Sequence, residues 1–294
     1  MRDNKKENKV YFNKDGLKEY RRLVLKNFLR NRLAVAGLLL VVTMVLLALF
    51  ASRIAPGGPY AMDVANRLKP PGAEHILGTD TFGRDLLSRI VFGLQVSLYV
   101  GFAVAVIAMV FGMALGLVSA YAPILDTIIM RVCEAMMSIP STLMAIALMA
   151  ALGATTENVI ISLSIIYIPT IAKVARASAL SVKEMTYVEA IRSQGAGWPR
   201  ILFKHIAPNV ISPVIIQTTF IFASAIIVES SLSFLGVGVP APAPSLGNIL
   251  SEARSVIFNS WWMTLYPGLT MVLTVLGINI LGDGIRDILD PLSN

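Results

Sequence analysis

Charge is scarce in this chain. Only 15% of its 294 residues are Asp, Glu, Lys or Arg, where a soluble domain carries roughly 25%. Set beside a hydrophobic fraction of 55%, that scarcity excludes an ordinary soluble globular protein. Cysteine is nearly absent. Cys133 is alone, which rules out an internal disulfide or a cysteine metal cluster, and its apolar neighbours make it a small buried hydrophobe. Histidine occurs twice, as His75 and His205. The topology derived below puts them on opposite sides of a membrane, so they cannot share a metal site or a catalytic triad. No Gly-x-x-x-x-Gly-Lys-[Ser/Thr] phosphate loop occurs, so this chain cannot hydrolyse ATP itself. Neither a catalytic residue nor a metal ligand is assigned, and the chain carries no cofactor of its own.

What is abundant is long apolar runs. About 20 helical residues cross a hydrocarbon core of roughly 30 Å, and only helices or closed barrels satisfy every backbone N–H and C=O there. The runs here are continuous and do not alternate with period two, so helices win over a barrel. The fold class is all-α: a polytopic membrane protein with about six transmembrane helices. The spans run from Leu33 to Ala51, Gln95 to Ala120, Thr127 to Leu152, Val159 to Val174, Val210 to Ser231 and Met263 to Leu281. Gly112 and Gly116 in the second span let a neighbouring helix approach closely. Pro140 and Pro169 fall inside the third and fourth, where they interrupt the hydrogen-bond ladder. Met136, Met137, Met144 and Met149 are a thioether set that serves flexible packing, not a metal.

The organisation follows from these spans. Residues 1–32 are a basic N-terminal segment and 33–52 a first transmembrane helix, retained and not cleaved as a leader. Residues 53–94 form an outer connection that ends in an amphipathic stretch at the membrane surface. Residues 95–285 form a five-helix core, and 286–294 a short C-terminal segment. An even number of spans puts both termini on one side. Roughly 19 Lys and Arg fall on that side and about 6 on the other, so the positive-inside rule makes both termini cytoplasmic. The net charge of +7 is thus a matter of topology, and no nucleic acid partner is implied.

The segment between spans four and five, with its core at 183–207, is also cytoplasmic. It reads as a short helix through Glu189 and Ala190, then a turn at Gly195, Ala196 and Gly197. A second short helix starts near Trp198 and Pro199, and Pro208 stands at the next span. Gly permits backbone angles that other residues resist, and Pro suits a first helical turn. The product is an L-shaped, partly apolar element projecting into the cytoplasm.

Glu189-Ala190, with Gly195 six residues after the Glu and Pro208 thirteen further on, resembles the EAA loop of ABC importer permeases. Ile191, His205 and Ala207 depart from that pattern. The stretch from His75 to Asp80 with Phe82-Gly83-Arg84-Asp85 is similar to the outer segment of dipeptide, oligopeptide and nickel permeases of the second, C-type kind. So are Leu232 to Gly238 with Pro242, Pro244 and Gly247, the C-terminal stretch Leu281 to Pro291, and Arg131 and Glu134 with Pro140. The resemblance covers most of the chain and implies a type I ABC importer permease in a bacterial inner membrane. It implies that the 183–207 loop couples to cytoplasmic ATPases. The implied partners are a second homologous permease, two ATPase subunits that bind ATP and Mg, an extracytoplasmic solute-binding protein and membrane lipids. The implied mechanism is alternating access, and the implied cargo is a di- or oligopeptide, with nickel or a metal chelate as the alternative.

Three charges near membrane depth are candidate pathway or structural groups, because ionisable residues are costly there. Arg131 and Glu134 are three apart and can pair along a helix. Glu229 lies near the outer end of span five, where it can face the pathway, or instead serve subunit packing or sit at the interface. A stand-alone channel or secondary transporter would show inverted repeats, or intramembrane charges paired along a proton or ion path, and neither such repeats nor such a path is present.

Overall fold

The computed structural model describes residues 28–289, and every named element among them is helical. The basic segment 1–27 and residues 290–294, with Asp290 and Pro291 of the C-terminal stretch, lie outside the described residues. Helix α1 (Arg32–Leu49) starts at Asn31, whose side chain accepts from the backbone N–H of Leu33 and Ala34. Such a cap satisfies donors that a helix start leaves open. A single turn, α2 (Ala51–Ile54), leads into the outer segment.

Helix α3 (Leu86–Tyr121) begins nine residues before the expected second span and runs for 36 residues. At 1.5 Å per residue that is about 54 Å, well beyond the roughly 30 Å apolar core. The end of the expected amphipathic stretch forms the first turns of α3. Asp85 caps them by accepting from Ser88 N–H at 2.8 Å, and Leu86, Ile90, Val91 and Leu94 are buried.

The third span is also not one helix. It is split into α4 (Pro123–Met137) and α5 (Ser141–Leu152), bent by 95° at the break. Pro140 offers no N–H and disfavours helical geometry at the residue before it, so Ser138 to Pro140 end one helix and start another. Helix α6 (Thr156–Lys183) keeps Pro169 inside it and starts at the Thr155 cap. Then come α7 (Thr186–Ser193) and α8 (Trp198–Ile201). A π turn over Leu202–Ile206 joins α8 to α9 (Ala207–Phe234) without a break, so the chain is helical well before the expected start at Val210. Pro208 cannot donate to the carbonyl one turn back and its ring crowds it; the wider turn absorbs both defects. Asn209 Nδ2 bonds the His205 carbonyl at 2.6 Å in compensation. Last come α10 (Leu246–Ala253) and α11 (Trp262–Leu289). Among the described residues, five helices are long and apolar enough to cross a membrane, or six if the α4–α5 pair counts as one span.

Close packing rests on small residues. A Cβ added at Gly116 would lie 2.5 Å from the Ala172 carbonyl oxygen, and one at Gly112 would lie 2.5 Å from Ile171 Cβ, so α3 and α6 touch backbone to backbone. Gly37 and Gly284 do the same for α1 and α11, against Leu281 and Ala34. One apolar core joins α3, α5, α6 and α9 to the α7–α8 loop at 183–207, here the inner loop; a second joins α1, α3, α9, α10 and α11 toward the opposite end.

Candidate functional site

The inner loop is built from a helix end that only glycine completes. After α7, Gly195 N–H bonds the Arg192 carbonyl at 3.0 Å and Ala196 N–H bonds that of Ile191 at 3.3 Å. This pair of bonds is a Schellman closure, and it requires the φ of +83° found at Gly195. A Cβ at Gly195 would meet nothing, so the demand is on backbone angle, not on space. Gly197 then precedes α8, with Pro199 in its first turn. Val188, Ile201, Leu202 and Ile206 are buried in the core shared with α3, α6 and α9, and Ile191 and Ala196 pack against it. Glu189, Ala190, Gly195, Gly197 and Pro199 are exposed. The element thus has a face rooted in the bundle and a face turned outward. Tyr187 Oη ties its base, 3.3 Å from Asn209 Nδ2, with Pro208 in the first turn of α9 beside it.

Trp198 joins the two faces. It is 61% exposed, yet its ring lies 6.4 Å from that of Tyr121 at the end of α3. Tyr121 was not singled out in the sequence, because its contact with Trp198 is made across the fold by two residues far apart in the chain.

The opposite end of the molecule holds a buried charge network. Asp80 is fully buried and accepts from Phe82 N–H at 2.8 Å and Arg84 N–H at 2.9 Å. It also accepts from Arg84 Nε at 2.5 Å and Arg89 Nη1 at 2.9 Å. Arg84 and Arg89 both reach Glu252 on α10, the first at 2.7 Å. Gly83, at φ +76°, sits against the Asp63 carbonyl, and Trp262 Nε1 donates to the Thr79 carbonyl at 3.2 Å. The outer segment is thereby pinned to α3, α10 and α11.

Glu229 is fully buried within this chain. Its carboxylate accepts from Ser97 Oγ on α3 and Ser233 Oγ on α9, each at 2.8 Å, with Ser230 Oγ at 3.3 Å. Ser233 Oγ in turn accepts from Val239 N–H at 3.1 Å. Within this chain those three serine hydroxyls meet its carboxylate from α3 and α9. Arg131 and Glu134 are 3.9 Å apart along α4 and both exposed, an ion pair of small energetic weight. The structure does not bring these charges together with Glu229.

Residues 108–293 match the family model described as the binding-protein-dependent transport system inner membrane component. Residues 19–71 match that of the N-terminal TM domain of oligopeptide transport permease C. The chain is 44% identical over 269 residues to a putative peptide transport system permease protein of Brucella abortus, covering 92% of this chain and 91% of that one. It is 40% identical over 271 residues to the dipeptide transport system permease protein DppC of Alkalihalophilus pseudofirmus, covering 92% and 89%. A chain of the MetNI methionine ABC transporter in an inward-facing conformation matches with a TM-score of 0.58 at 18% identity, over 69% of this chain and 96% of that one. At that identity the likeness is one of fold.

Proposed function

The chain belongs to the binding-protein-dependent transport system inner membrane components, and from that membership we propose that it is one of two permeases lining the pathway of an ATP-driven peptide importer. The observation that carries the reading is the inner loop: one face is exposed, and the other is buried in the core of the spans it must move. A rigid element so rooted passes a displacement to α3, α6 and α9, because packed cores shift between discrete arrangements and do not deform smoothly. The names of the relatives, which specify peptide and dipeptide transport, support a short peptide as cargo.

In this reading two cytoplasmic ATPase subunits bind ATP and Mg and engage Glu189, Ala190 and the Gly195 turn. A second homologous permease completes the pathway, and an extracytoplasmic solute-binding protein delivers the peptide to the outer face held by Asp80, Arg84, Arg89 and Glu252. Both termini are cytoplasmic, in a bacterial inner membrane. Affinity purification of the tagged chain from gently solubilised membranes tests the assembly. Recovery of a second permease and an ATPase is expected, with the ATPase lost for Gly195→Val, which cannot hold φ +83° without strain. Recovery of the chain alone would sink the proposal.

A further inference from the structure

Tyr121 is the last residue of α3, and three elements converge on it. Its ring faces Trp198 of the inner loop at 6.4 Å with a 43° tilt. Lys183 Nζ, from the last residue of α6, lies 5.1 Å from the ring centroid and donates to the Ala120 carbonyl at 2.9 Å. A cation over an aromatic face and a cation on the last carbonyls of a helix are both favourable. The corner beyond Tyr121 is clamped as well. Asp126 of α4 takes Arg176 of α6 in a two-bond fork at 2.5 and 2.6 Å and also accepts from Ser119 Oγ. Arg176 and Lys183, seven residues apart on α6, therefore hold the α3–α4 corner at two levels.

This arrangement has a direction. Trp198 is mostly exposed despite its contact with Tyr121, so it is open to a partner pressing on the inner loop. Behind Tyr121 the corner is rigid, and beyond the corner the next break is the 95° bend between α4 and α5. A push on Trp198 is thus passed through a clamped corner toward the break in the span.

We propose that Tyr121 is a positioning residue of the transport cycle, which passes displacement of the inner loop from Trp198 to the α3–α4 corner and so to the broken span. The proposal rests on the reading of that loop as the ATPase contact. The ring makes these contacts, so phenylalanine keeps them and alanine does not.

The test uses the complete importer in proteoliposomes, with ATP hydrolysis and dipeptide uptake measured in the same vesicles. Tyr121→Ala is expected to raise the ATP hydrolysed per peptide about five-fold, the size of a modest coupling term, while Tyr121→Phe stays at the wild-type ratio. Trp198→Ala, whose truncation at a mostly exposed site spares the fold, is expected to give the same rise, and the double variant no further rise. An assembled Tyr121→Ala importer with a wild-type ratio would overturn the proposal. Should Tyr121→Ala fail to assemble, a wild-type ratio in Trp198→Ala would overturn it equally. Gly195→Val separates the two levels: if it too leaves ATPase binding and the ratio unchanged, the loop reading itself falls. If Gly195→Val uncouples and the aromatic variants do not, only the relay falls.

Discussion

Asp80 has no surface exposure, and its two carboxylate oxygens accept from two backbone N–H groups and two guanidinium groups. Burying a charge is tolerable only with such partners. Removing one partner of a buried pair costs about 3–5 kcal/mol, because the remaining charge stays buried. Asp80→Asn is therefore expected to lower the thermal unfolding midpoint of the purified importer by many degrees, whereas Lys69→Gln, at an exposed pair with Glu74, leaves it nearly unchanged. Equal midpoints for the two variants would refute the structural role of the network. What could be read from the sequence at this scale was local. Gly195 was legible, since a glycine after a short helix is the mark of a left-handed helix end. Glu252 was not, because its partners Arg84 and Arg89 lie more than 160 residues away in the chain. Glu229 was legible as unusual for its depth, but the serines that surround it were not.

At the scale of elements, the apolar runs announced the helices but not their breaks or full lengths. Polar residues such as Arg84, Asp85 and Arg89 interrupt the apolar run at the start of α3, so its first turns read as a loop end, although Asp85 caps the helix there. Proline marked three places and acted differently at each. Pro140 split a span, Pro169 stayed inside α6, and Pro208 was absorbed by a π turn. Sequence spacing does not distinguish these outcomes, because neighbouring elements decide which lost bond is replaced. Gly112 and Gly116, read as packing residues, lie where α3 and α6 approach closely. Gly116→Val would drive a side chain into the Ala172 carbonyl and Ala175 Cβ, at 2.5 and 2.6 Å from the new Cβ. Overpacking of this kind costs about 1–3 kcal/mol or more. The variant is expected to insert in the membrane but to yield less folded protein on detergent size-exclusion chromatography. A wild-type profile would show that the two helices separate more readily than their packing indicates.

At the scale of the whole molecule, the chain has two ends with different physics. The outer end is fixed by buried charge and the Trp262 hydrogen bond to the Thr79 carbonyl, so it offers a stable rim. The inner end joins an exposed helix–turn–helix to the transmembrane core through apolar contacts and the Tyr121–Trp198 pair. Apolar contacts lack the directional constraint of ion pairs and can be exchanged for others with less loss, which suits the displacement proposed for this end. Stability at one face and displacement at the other are what alternating access requires.

Dipeptide uptake by the complete importer in proteoliposomes, with ATP supplied on one side at a time, is the decisive measurement. The account predicts uptake only when ATP is on the side that carries the Gly195 turn and the solute-binding protein and peptide are on the other. It also predicts loss of that uptake in Gly195→Val. Uptake by this chain alone, in the absence of ATP, would contradict it.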